Sequence, residues 1–273
     1  LQTLEKFPEI SMAFHFSGSL IEWLEGHRLE VLELFKRLVC RGNIEVLGSG
    51  FYEPILAMIP EADQVGQIKK MNDWALDRLD YEIKGNWLTE RVWEPHLAQS
   101  LNNADIEYML VDDYHFLTTG VDPETLNGYY YTEQEGKVLS VFPISQKMRY
   151  AMPFEDPQVA IDILKSYASE DDDNLVVMAD DGEKFGIWPG TWETVYGEKW
   201  LERFFTLLSQ NSDWLTTTTF KQYHSNNSPR DLVYLPTSSY FEMSQWTLST
   251  GLGRQMDHFI HDLENQGKGD YTI

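Results

Sequence analysis

Trp87-Leu-Thr-Glu-Arg-Val-Trp-Glu-Pro95 is where an apolar stretch breaks into a loop that carries acids among tryptophans. What flanks the break decides the fold. Upstream, the pattern predicts a strand over 11–16, a helix over 19–41 and a strand over 44–47 that runs into Gly48-Ser-Gly50. A second helix follows over 61–81, with Val65, Ile68, Met71, Trp74, Ala75 and Leu79 at helical spacing. Downstream come a short helix over 95–104 and a strand over 106–111. Short apolar strands joined through helices predict an α/β fold with a parallel sheet covered by helices.

Over 128–145 the rhythm changes. Tyr129-Tyr-Tyr-Thr-Glu-Gln-Glu-Gly-Lys-Val-Leu-Ser-Val-Phe142 reads as an antiparallel hairpin turning at Gln134-Glu-Gly136, a small β-hairpin insertion rather than a barrel unit. Helix and strand resume over 158–168 and 175–179, separated by an acidic turn over 169–174. Helices are expected over 198–208, 216–224 and 255–265, and a strand over 232–235. No repeat or low-complexity linker divides the chain, so residues 1–273 read as a single domain.

The size fits an α/β barrel, at 273 residues. With 21 basic against 44 acidic residues the formal charge is −23. Such a surface repels phosphate backbones and anionic lipid, so nucleic acid and membranes are not expected partners. A neutral ligand meets no such barrier. Nine tryptophans suit a carbohydrate, whose apolar ring faces stack on indole. The one cysteine, Cys40, allows no disulfide and reads as a small buried hydrophobe on a helix. Together with the lack of a visible export signal, this favours a cytoplasmic setting.

In parallel barrels the working residues sit at the carboxyl ends of strands. Glu45, Glu90 and the pair Asp180-Asp181 all fall at or near such ends. Two carboxyl groups about 5–5.5 Å apart are what a retaining glycosidase uses, one as nucleophile and one as acid then base. Glu90 suits the nucleophile, with Arg91 beside it to favour the ionised form; a salt-bridged strand cap is the plain alternative. Repulsion between Asp180 and Asp181 would raise one pKa, as a general acid requires, whereas Asp181-Gly182 also reads as an ordinary turn. Period-two alternation does not choose between the two aspartates. His258 and His261 stand three apart on a polar helix without a completing acid and read as solvated surface. No glycine-rich phosphate loop or Gly-x-Ser-x-Gly elbow occurs.

Trp87–Pro95, Asp180-Asp-Gly-Glu-Lys-Phe-Gly-Ile-Trp-Pro-Gly190 and Gly42-Asn-Ile-Glu-Val-Leu-Gly-Ser-Gly-Phe-Tyr-Glu-Pro54 closely resemble motifs of glycoside hydrolase family 57. Tyr234-Leu-Pro-Thr-Ser-Ser-Tyr-Phe-Glu-Met243 resembles its 4-α-glucanotransferase and α-amylase branch. The resemblance implies a (β/α)7 barrel, a retaining mechanism on α-1,4-glucans, and neither metal nor organic cofactor. By motif position Glu90 matches the nucleophile and Asp181 the acid/base. Glu45, Trp87, Glu183 and Trp188 match positions that contact the glucan or maltooligosaccharide substrate. Members begin with a strand bearing a His-Gln-Pro motif, and often end in a β-rich domain. Neither is found in residues 1–273, so the sequence is expected to be the central part of a catalytic domain, lacking the first barrel strand. Two other readings stand beside this one: a catalytically silent glucan-binding barrel, and a metal-dependent polysaccharide deacetylase.

Overall fold

The computed structural model describes residues 1–170 and 174–265. Among the described residues six strands form the sheets: β1 (Met12–Phe14), β2 (Ile44–Val46), β3 (Gly85–Trp87), β4 (Tyr108–Asp112), β5 (Tyr130–Gln134) and β6 (Lys137–Ile144). β1 pairs with β2, β3 with β4, and β4 with β6, all in parallel. A parallel bridge between Gly48 and Asn86 joins the two sheets, and another from Ile144 to Val177 brings in residues 175–179. Among the described residues the parallel wall thus runs through six successive positions.

Alternation along these strands separates two apolar layers. Ala13, Leu47, Trp87, Tyr108, Leu110, Phe142, Ile144, Val177 and Ala179 share one cluster, the inside of the wall. Met12, Phe14, Ile44, Val46, Met109, Val111, Leu139 and Val141 belong to the other, against the helices. A side-chain period of two makes each short strand apolar on both faces, which is the mark of a sheet buried on both sides. The helix Glu61–Leu79 shows the complementary pattern, burying Gln64, Ile68, Met71, Ala75 and Leu79 along one stripe. Gly85 is required where the wall is tightest, since a Cβ there would come 2.3 Å from the Tyr108 ring and 2.6 Å from Leu47.

Several expectations are corrected. The hairpin forms, turning through Glu135 and Gly136 at φ 52° and 77°, as a two-residue turn requires. However, β6 is itself a wall strand parallel to β4, so only β5 is an addition to the barrel pattern. The helix expected over 19–41 is two helices, Gly18–His27 and Leu29–Cys40, broken at Arg28 (φ −143°, ψ 52°) just after the weak helix former Gly26. Ile21 and Leu24 are buried there, while Leu20 and Trp23 are exposed. Cys40 is exposed, not buried. It lies one residue past buried Val39, a step of about 100° around the helix. Residues 175–179 and 232–235 join the sheets through single bridges rather than as strands. Asp171–Asp173 of the expected acidic turn lie outside the described residues. Among the described residues no helix is long and apolar enough to cross a membrane.

Candidate active site

β3 ends at Trp87, and the chain then turns sharply through Glu90 (φ 53°) and Arg91 (φ 46°), two consecutive non-glycine residues in the left-handed region. Such a conformation costs on the order of 1–3 kcal/mol per residue and persists only where its surroundings hold it. Here Ser239 Oγ donates to the Glu90 carbonyl. The fully buried His115 places Nε2 2.8 Å from the Arg91 carbonyl. Tyr240 Oη donates to Glu90 Oε2 at 2.6 Å. The carboxyl is thereby aimed by a phenol whose own pKa is pushed up by burial and by Glu90, which keeps it a donor.

Asp181 follows the segment 175–179 on the inward parity of Val177 and Ala179. Its Oδ1 lies 3.9 Å from Arg91 Nη1. Burial raises the pKa of Asp181 above the usual aspartate value; Arg91 opposes this, and Asp180, Glu183 and Glu90 add to it. Asp180 points the other way and is spent in an ion cluster, bound by Lys184 Nζ and 3.4 Å from Arg149 Nε. One aspartate is therefore tied into buried ion pairs, and the other is left half-exposed with its proton more firmly held. That division is what acid/base work needs.

Beneath both acids runs a buried chain of charges. Asp112, at the end of β4, takes Arg91 Nε on Oδ2 at 3.1 Å and Arg149 Nη1 on Oδ1. Arg91, Asp112, Arg149 and Lys184 are all buried. Arg91 also sits over the Tyr240 ring, 4.2 Å from its centroid, and 5.3 Å from that of Trp87. The loop bearing Glu90 and the loop bearing Asp181 are thus tied to one carboxylate.

The remaining expected residues divide. Trp87 packs against the inner cluster at the foot of the Glu90 turn. Glu183 is exposed next to Asp181. Trp188 is 43% exposed and stacks on Phe154 at 6.3 Å. Glu45 is the correction: it does not reach the rim. It is 1% exposed, with Oε1 accepting from Tyr108 Oη at 2.7 Å and Oε2 from Lys221 N at 3.0 Å. Tyr108 is the first residue of β4, so Glu45 lies at the opposite end of that strand from Asp112. Sequence reasoning missed Tyr240, Asp112, Arg149 and His115. Asp112 and Tyr240 carried a signal, one as an acid ending a strand and the other inside a recognised motif; Arg149, on the helix Gln146–Ala151, carried none. Among the described residues no group of three or more His, Cys, Asp or Glu is placed to hold a metal ion.

The family model described as Glycosyl hydrolase family 57 matches residues 1–236. The chain belongs to that family. Its relatives include the 4-alpha-glucanotransferase of Thermococcus litoralis, 46% identical over 268 residues that cover 98% of this chain and 40% of that protein. The alpha-amylases of Pyrococcus furiosus and Pyrococcus horikoshii are 44% and 47% identical, over 98% and 97% of this chain and 41% of each protein. The crystal structure of the Thermococcus litoralis enzyme superposes with a TM-score of 0.95, covering 98% of this chain and 42% of that one. This family 57 chain therefore has their α/β barrel fold and spans about two fifths of the length of the relatives it matches.

Proposed function

We propose that this chain carries the catalytic barrel of a retaining enzyme acting on α-1,4-glucans, a 4-α-glucanotransferase or an α-amylase, with Glu90 as nucleophile and Asp181 as acid/base. The observation that supports it most is the unequal treatment of two acids on adjoining loops. Glu90 accepts a hydrogen bond from Tyr240, while Asp181, across Arg91, is held toward its protonated form. The relatives' names, 4-alpha-glucanotransferase and alpha-amylase, favour the same substrate class.

In the first step Asp181 gives its proton to the glycosidic oxygen as Glu90 attacks the anomeric carbon; the C–O bond breaks and a glycosyl ester forms on Glu90. Asp181, now ionised, then removes a proton from water or from the hydroxyl of a second glucan, which displaces Glu90 from the sugar. Water gives hydrolysis and a glucan gives transfer. Arg91, 3.9 Å away, steadies the Asp181 carboxylate between the steps.

The test is product analysis of the full-length protein incubated with maltoheptaose, beside its Glu90→Gln variant. Longer and shorter maltooligosaccharides together, lost in the variant, establish transfer; shorter products alone, equally lost, establish an amylase. Undiminished turnover in Glu90→Gln would remove Glu90 from the mechanism. Tight maltoheptaose binding without products from either form would support the silent binding barrel instead.

A further inference from the structure

The loop that carries Asp181 continues into an unusual concentration of exposed rings. Trp188 is 43% exposed, Trp192 65% and Tyr196 50%, and Phe154 beside Trp188 is 53% exposed. Single exposed aromatics need no explanation, but a contiguous set does.

These rings are held in place by one compact unit. Ile187 N and Trp188 N both donate to the Glu183 carbonyl, and Thr191 Oγ1 donates to that of Trp188. Lys184 Nζ, anchored on Asp180, lies 5.2 Å from the centre of the Phe154 ring and 5.9 Å from that of Trp188. Gly186, at φ 129°, takes the Tyr196 ring directly against its backbone, where a Cβ would stand 2.5 Å from that ring. Residues Glu193–Gly197 form one turn of π-helix, closed by Glu198 N to Glu193 O at 2.8 Å, an irregularity frequent at functional sites. Trp192 and Tyr196 then pack ring on ring, centroids 4.5 Å apart and planes tilted by 42°. Two pairs of rings, Phe154–Trp188 and Trp192–Tyr196, are thus linked through Gly186 to the acid/base loop.

We propose that Trp192 and Tyr196 form a second stacking platform, which holds an α-1,4-glucan chain beyond the sugar carried at Trp188. This rests on the α-glucan reading given above. The pair leaves Trp192 65% and Tyr196 50% exposed, so apolar ring surface stays open to the face of a sugar. Glu193, Glu198 and Lys199 beside the rings in sequence are all exposed. The platform continues the acid/base loop, and the sugars assigned to it are those on the side of the bond that Asp181 frees. These are the leaving segment and, in the second step, the incoming acceptor. The platform would therefore favour long chains and glucan acceptors over water.

The experiment compares the full-length protein with Trp192→Ala, Tyr196→Ala and Trp192→Phe, measuring kcat/KM for maltoheptaose and for maltotriose. The ratio of the two is expected to fall about five- to tenfold in each alanine variant, the size of a lost aromatic contact, and to recover in Trp192→Phe. The share of hydrolysis among the maltoheptaose products should rise alongside. Equal loss on both oligosaccharides, or an unchanged ratio, would overturn the platform and mark these rings as a surface that packs or docks protein. If the unmodified protein turns over neither sugar, the α-glucan reading fails and the platform falls with it.

Discussion

Asp112 binds Arg91 with one carboxyl oxygen and Arg149 with the other. Arg91 is the neighbour of Glu90 and faces Asp181; Arg149 faces Asp180, the neighbour of Asp181. A single buried acid thus fixes both loops from below. Two consecutive residues held at positive φ gain their rigidity from this anchor, and precise placement of reacting groups is worth many orders of magnitude in rate.

Removing the anchor should therefore damage both stability and activity. Asp112→Ala leaves two guanidinium groups buried without their shared counter-ion, and losing one partner of a buried pair costs about 3–5 kcal/mol. Urea denaturation should show a loss of that order, and kcat should fall further than KM changes. A loss below 1 kcal/mol would mean that the arginines find other partners and that the strut is not needed.

Tyr240 donates to Glu90 Oε2 at 2.6 Å, a bond between a neutral donor and a charged acceptor. Such bonds contribute about 1.5–3 kcal/mol, so Tyr240→Phe should lower kcat by roughly ten- to a hundredfold. The ring and its contact with Arg91 survive this change, so stability should fall by no more than that one bond contributes. A variant with wild-type kcat would show that Glu90 needs no such guide.

Asp181 has its proton held by burial first, then by Asp180, Glu183 and Glu90, against the pull of Arg91. Glu183→Gln removes one negative neighbour, so Asp181 ionises more easily and loses its proton at lower pH. The alkaline limb of kcat/KM against pH should move toward acid. A shift toward alkali would show that another group sets that limb.

Much of this was readable from residues alone, because the wall strands are apolar on both faces and the helices carry one stripe. The two motifs at β3 and at 175–179 landed on one rim for the same reason. What escaped has a common physical cause. Glu45 and Asp112 are both acids on inward positions, and only the register, from Gly48 to Asn86 to Met109, shows that one lies at the foot of the wall and the other at its top. Period-two counting gives the face, not the height. β6 reads as half of an insertion because its turn chemistry is local, while its partner β4 is distant in sequence. Arg149 sits on a short helix whose sequence says nothing of the acid it will meet.

Asp113 offers a test of linkage away from the reacting pair. It takes a hydrogen bond from Gln146 N at 2.9 Å, yet its pKa is raised from 3.8 to about 6, chiefly by burial. Asp112 adds to the rise, and Gln146, the backbone of Tyr114 and Arg149 oppose it. A carboxyl whose folded pKa exceeds its unfolded one binds more protons in the native state. Its protonated form then favours folding below the unfolded value, and that advantage disappears as pH rises toward 6. Asp113→Asn keeps an oxygen for Gln146 N and removes the charge. The variant should be more stable than wild type at pH 7, by about 1–2 kcal/mol after allowing for partial solvent contact. The difference should shrink between pH 6 and pH 4, because wild-type Asp113 becomes neutral there as well. Denaturant melts at both ends of that window decide it: a variant no more stable at pH 7, or a gap that widens toward acid, would mean that Asp113 is not held against ionisation.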